Sequence, residues 1–301
     1  MGPILQLLLI VALPPLLLGV IVKTKAAFAG RVGAPVLQPW LDVLKLARKG
    51  MVFSRTTSWV FRAGPLVSLA AIAVAALAVP VAGSTAILAF PGDLLLVAYL
   101  FALARFFTVC AALDTGSAFE GMGGAREAAF ACLAEPAFFF SLLALVKVSG
   151  CTSLSDMLGA ALVRGWPDHA TALVLVAVSL FVVLLAESCR IPFDDPNTHL
   201  ELTMIHEVMV LDHSGPLLAL VHLGAGLKLF LLGALVVRIL LPVDTGMFLL
   251  DAVVFVLALV LLAVAVGAVE SIMARLRLKQ VPTLLVAACL LAAFGLGLLV
   301  G

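Results

Sequence analysis

Eight runs of about twenty residues, at about 3–22, 64–82, 93–113, 129–149, 170–187, 217–238, 247–268 and 281–300, carry almost no charge. Twenty apolar residues wound as a helix are roughly 30 Å long, the thickness of a bilayer's hydrocarbon core. In lipid every backbone N–H and C=O must find its partner inside the chain, so each run is predicted to be a transmembrane helix. Composition agrees: 64% of residues are hydrophobic and 12% charged, against about a quarter charged in soluble proteins. The expected fold is all-α, a polytopic membrane protein with a single integral membrane domain over 1–301. A net charge of +1 leaves no basic footprint for nucleic acid.

Between the first two runs, Pro35–Gly50 places Leu37, Trp40, Leu41, Leu44 and Ala47 at helical spacing, with Asp42, Lys45, Arg48 and Lys49 elsewhere. This reads as an amphipathic helix lying on the membrane surface. Pro14-Pro15 should bend the first run. Lys and Arg fall in four connecting segments, 23–63, 114–128, 188–216 and 270–280; the opposite connections hold only Arg164, with Arg238 near a helix end. The basic face is therefore expected to be cytoplasmic, with both termini outside and no cleavable signal peptide.

Several charges sit in the wrong solvent. Arg105 lies in the third run, Glu135 and Lys147 in the fourth, His222 and Lys228 in the sixth, Glu187 at the end of the fifth and Asp251 at the start of the seventh. Each costs at least ~2.5–3.5 kcal/mol near mid-membrane unless it is paired or hydrated. Two uses stay open: inter-helix ion pairs, Arg105 with Glu135 or Lys228 with Glu187, that fix packing, or a graded polar axis able to carry protons. Around Glu187 the chain adds Arg190, Asp194, Asp195, His199, Glu201, His206, Glu207, Asp212 and His213. Crowded carboxylates raise one another's proton affinity. Leu200–Leu211, with its apolar residues interleaved, is expected to be a partly buried helix, and Gly116, Gly121, Gly123 and Gly124 a flexible turn after the third run.

Other chemistry is not encoded in recognisable form. Five scattered cysteines make no CxxC and no iron–sulfur motif, and His206-Glu207 opens an HExxH whose second histidine is replaced by Val210. No metal site, phosphate loop or nucleophile elbow is predicted.

Gly30-Arg31-Val32-Gly33-Ala34-Pro35, then Leu37-Gln38-Pro39, Asp42 and Lys45, together with Glu187, Arg190-Ile191-Pro192-Phe193-Asp194 and Glu201-Leu202, resembles the subunit 1 family of respiratory NADH dehydrogenase (complex I). The family includes membrane subunits of formate hydrogenlyase and other energy-converting NiFe hydrogenases. The resemblance covers nearly the whole chain. It implies a subunit, without a redox centre of its own, that joins a peripheral redox arm to antiporter-like membrane subunits in the inner membrane. Iron–sulfur clusters and the NiFe centre would belong to partners, and a bound quinone stays open. It further implies that Glu135, Glu187, Glu201 and Glu207 match or lie near the acidic positions of a proton-coupling channel, beside which Arg105, Lys228 and His222 lie. Arg31, Gln38, Asp42, Lys45, Asp114, Glu120, Arg126, Arg190, Asp194, Asp195 and Asp212 would lie in loops facing the arm or a quinone-like pocket. After Asp194 the chain departs from the quinone-reducing branch, with Asp212-His213-Ser214-Gly215 where Glu-Tyr-Ser-Gly is usual, and looks more like the hydrogenase branch. The leading expectation is a coupling subunit of an energy-converting hydrogenase-type assembly. The alternatives are a quinone-binding respiratory subunit and a stand-alone ion transporter, and no internal repeat supports the latter.

Overall fold

The structure, a computed structural model, describes residues 2–81, 85–194 and 204–300. Its elements in chain order are α1 (Gly2–Phe28), α2 (Gln38–Ala47), α3 (Trp59–Ala78), α4 (Asp93–Asp114), α5 (Ala118–Ser149), the short α6 (Leu154–Met157), α7 (Ala160–Glu187), a 3-10 turn at Glu207–Val210, α8 (Gly215–Leu240), α9 (Phe248–Ile272) and α10 (Val281–Val300). Eight of these helices are long and apolar enough to cross a membrane, and all eight coincide with the predicted runs.

Helix α8 forms the axis of the bundle. It packs on α1, α2, α3, α7 and α9, while α10 bridges α5 and α7, and α4 lies between α3 and α5. Lipid tails are as apolar as leucine, so the spans are held by close packing and polar contacts rather than by hydrophobic burial. Where α1 meets α9, a Cβ added at Gly267 would come within 2.8 Å of the Thr24 Cβ, so only glycine admits this approach.

Three boundaries differ from expectation. Helix α7 starts ten residues before the predicted run because it continues through Pro167 across a kink at His169, where φ is −120°. Helix α5 starts at Ala118, so the second basic segment, 114–128, shrinks to a few residues and Glu120 and Arg126 become helical. Of the glycine turn expected there only Gly116, with φ of 71°, lies in the connection; Gly121, Gly123 and Gly124 are helical instead. A Cβ on Gly123 would lie 2.9 Å from the Ile205 carbonyl and collide with the Val208 side chain, so this glycine serves contact with the 204–210 segment. That segment is a 3-10 turn with Val208, Met209 and Val210 buried, rather than the longer helix expected, of which 200–203 lie outside the described residues. Helix α1 runs on through Pro14-Pro15, and Trp40 of α2 donates to the Ala12 carbonyl just ahead of them. Val43 of α2 is buried, whereas Leu37, Leu41 and Leu44 face outward.

Candidate functional site: a chain of buried charges beside a cavity

Helices α4, α5, α7 and α8 each bring a charge to one point inside the bundle. Arg105 of α4 donates from Nη1 to Glu135 of α5 and from Nη2 to Glu187 at the end of α7, and its Nε lies 3.4 Å from Glu127, also of α5. Lys228 of α8 closes on the other Glu187 oxygen at 2.5 Å. Both ion pairs anticipated from sequence are present, and Glu187 joins them into one chain, Glu135–Arg105–Glu187–Lys228. Three carboxylates thus surround two cations. Breaking such a buried pair by deleting one partner strands the other charge, which makes each member costly to remove.

The cluster borders a cavity of about 460 Å³ between α1, α2, α3, α4 and α8. Its lining combines apolar side chains, among them Pro15, Leu18, Val22, Pro65 and Ile72, with Asp42, Arg105, Glu127, Glu187, His206, Glu207, His213, His222 and Lys228. Arg105 and Glu187 also line a second cavity of about 90 Å³ that contains Glu135 and Tyr99. The Arg105–Glu187 pair is therefore the partition between the two spaces. Polar cavities of this size hold several waters.

The loops at the basic end are braced by a second set of contacts. Asp194 receives Arg275 on one oxygen at 2.9 Å and the amides of Ile205 and His206 on the other at 2.9 and 3.0 Å. Glu270, its side chain fully buried, holds Lys25 at 2.8 Å and Arg190 at 3.5 Å. Arg126 donates to the Met204 carbonyl, and Glu120 accepts from the Asp212 amide. Asp114 takes the Ser58 amide and hydroxyl and the Phe61 amide, capping α3. Cys189 has φ of 53°, in the left-handed region, and burial pushes its thiol well above the ordinary range. His213 stacks on Phe61 with ring centroids 4.1 Å apart, and burial lowers its imidazole to about 4, so it is neutral at physiological pH.

The sequence-predicted residues thus divide. Arg105, Glu135, Glu187 and Lys228 converge, and Glu207, His222 and Asp42 line the adjoining cavity. Asp114, Glu120, Arg126, Arg190, Asp194 and Asp212 brace loops and helix ends around it. Arg31 and Lys45 are exposed, and Gln38 donates to Asp42 at 2.8 Å. Asp195 and Glu201 lie outside the described residues. Sequence reasoning missed Glu127 and Glu270. Glu127 is eight residues before Glu135, a little over two turns and roughly 80° round the helix, within reach of the same arginine, and only the misplaced start of α5 hid it. No group of His, Cys, Asp and Glu suited to a metal occurs among the described residues.

Fold and site together define a polytopic helical membrane protein that carries paired charges in its interior. The NADH dehydrogenase family model matches residues 3–301, and the chain belongs to that family. It is 32% identical over 287 residues to formate hydrogenlyase subunit 4 of Escherichia coli (strain K12), covering 93% of this chain and 92% of that protein. It is likewise 32% identical over 276 residues to hydrogenase-4 component C of the same organism, covering 90% and 86%. Its fold matches a chain of the membrane-bound sulfane sulfur reductase, an archaeal respiratory membrane complex, with a TM-score of 0.86 over 99% of this chain and 100% of that one at 22% identity.

Proposed function

We propose that this chain is the membrane anchor and coupling subunit of an energy-converting, hydrogenase-type complex, linking redox chemistry in a peripheral partner to proton or sodium movement. The observation that carries the reading is the excess of carboxylate in the buried cluster: Glu127, Glu135 and Glu187 around Arg105 and Lys228. Two cations leave one carboxylate without a matching charge inside the bundle, an arrangement whose desolvation cost calls for a use beyond packing. A change at the 204–213 segment alters the field on Glu187 through the His206 and Glu207 side of the cavity; Glu187 then exchanges with Glu135 across Arg105. In this reading the basic end faces the cytoplasm, both termini face outward, and α2 lies at the surface of the inner membrane. The peripheral hydrogenase subunits, with their NiFe and iron–sulfur centres, dock on the loops containing Arg31, Arg190 and Asp212, and antiporter-like subunits lie beside the bundle.

The test uses the purified complex in proteoliposomes. Glu135→Gln and Glu187→Gln are expected to abolish the ion gradient formed during turnover while leaving the partner's reaction with artificial acceptors within about twofold. A full gradient in both variants removes these residues from the path.

A second reading, quinone binding, is favoured by the 460 Å³ cavity, whose largely apolar lining includes His213, with a buried Nδ1 that has no hydrogen-bond partner among the described residues. A quinone there would supply a two-electron acceptor, its tail along Leu18, Val22 and Ile72. Co-purified quinone, with quinone reduction lost on Asp42→Ala, would select this reading over the first.

A further inference from the structure

Glu270, in the last turn of α9, has a fully buried side chain shared by two cations from elsewhere in the chain: Lys25 of α1 at 2.8 Å and Arg190, just past α7, at 3.5 Å. All three line the 460 Å³ cavity that Glu187 also lines. The balance at this contact is the reverse of that around Arg105, with two cations to one carboxylate. The path of the chain keeps Arg190 close to Glu187. Helix α7 ends at Glu187, and three residues later the Arg190 amide folds back to donate to the Leu185 carbonyl at 2.8 Å, with Cys189 in the left-handed region completing the turn. A guanidinium on a long, flexible stem can then serve either carboxylate. Its buried Nε has no hydrogen-bond partner among the described residues, so the group is only partly engaged where it stands. Fastening the connection does not need Glu270, because the residues after α9 already hold it: Arg275 pairs with Asp194, and the Leu276 amide donates to the Pro192 carbonyl at 2.9 Å. A buried carboxylate that costs desolvation and adds little fastening calls for another use.

We propose that Glu270 is a positioning residue of the coupling site: it holds Arg190, and Lys25 with it, away from Glu187, so that Arg105 and Lys228 remain the partners of Glu187. Without Glu270, Arg190 competes with Lys228 for the Glu187 carboxylate and pins its charge in place. This rests on the reading of Glu187 as part of the coupling path and adds to it which residue of α9 sets the partners of Glu187.

The test uses the purified complex in proteoliposomes and reads the ions moved per electron transferred. Glu270→Gln is expected to lower that ratio at least about tenfold, as for the exchange of one contact to a charged group, while the partner's reaction with artificial acceptors persists. Combining Glu270→Gln with Arg190→Gln is expected to recover most of the ratio, because no freed guanidinium remains. A residue that only fastens α9 to the connection predicts a double variant no better than the single one, and that result overturns the proposal. A parental ratio in Glu270→Gln overturns it too, as does loss of the partner's reaction itself. If Glu270→Gln does not assemble, Glu270→Asp keeps the charge but is one methylene shorter, giving up the 3.5 Å contact to Arg190 before the 2.8 Å contact to Lys25. A reduced ratio is expected there, and a parental one overturns the proposal. A full gradient in Glu187→Gln overturns instead the reading of Glu187 as part of the path, whatever Glu270→Gln does.

Discussion

The two ends of the bundle both bury charge, but they use it differently. At the end opposite the basic loops, each buried charge is matched to backbone or hydroxyl groups. Asp93, fully buried, accepts from the Leu154 amide at 2.7 Å, the Ser153 hydroxyl at 3.0 Å and the Phe90 amide at 3.4 Å. Asp251 takes the Thr245 amide and hydroxyl, and Arg238 donates to the Leu158 and Val243 carbonyls. These charges fasten loops to helix ends. Around Arg105, by contrast, charge meets charge across four helices, with carboxylate in excess and a cavity on either side. Packing alone needs only neutral, satisfied contacts, and the second arrangement is the one on which the proposed coupling role rests.

Arg105→Leu should have the largest effect, because it strands Glu127 and Glu135 and leaves Glu187 with Lys228 alone. A loss of about 3–5 kcal/mol is expected, read as a lower unfolding temperature of the purified complex, together with loss of coupling. Survival of both would show that the cluster is solvated rather than paired. The Glu187–Lys228 contact comes next. Glu187→Gln and Lys228→Met are each expected to destabilise, and the double variant by about 2 kcal/mol less than their sum; strict additivity would mean that the two groups do not interact in the membrane. Asp93→Asn sharpens the contrast from the other end. It should cost about 1–2 kcal/mol yet leave the ratio of ions moved to electrons transferred unchanged, since it breaks hydrogen bonds far from the cluster. A changed ratio would erase the distinction between the two ends.

The smallest effect concerns His213, whose imidazole lies at about 4 in the folded chain against an ordinary 6.5. The unfolded chain therefore takes up the proton first. Stability is full above about pH 6.5, falls as pH drops from there and has lost this contribution entirely below about 4. The loss is expected to be on the order of 1 kcal/mol. His213→Gln is expected to flatten the unfolding temperature between pH 7 and 5, and an unaltered slope would exclude His213 as its source.

The spans were legible because hydropathy acts residue by residue, and the pairing of Arg105 with Glu135 because charges in apolar runs have few partners to choose from. The loops were not. Asp194 is completed by Arg275 and by the amides of Ile205 and His206, and Glu270 by Lys25 and Arg190. These partners are brought together by the packing of α1 and α9 and by the return of the chain after α7, which no local period encodes. Helix α5 was misread for a related reason: glycine near a helix start signals a turn unless a neighbour presses against it, and the neighbour here is eighty residues away in Ile205 and Val208.

That same helix sets a mechanical condition. At 32 residues α5 is roughly 48 Å long, well over a bilayer's hydrocarbon thickness. Pro136, one residue beyond Glu135, interrupts the hydrogen-bond ladder of α5, so Gly123 and Glu127 share one unbroken stretch while Glu135 sits at the break. Under the proposed coupling, the 204–210 segment pressed against Gly123 would act on Glu127 directly and on Glu135 only through that break.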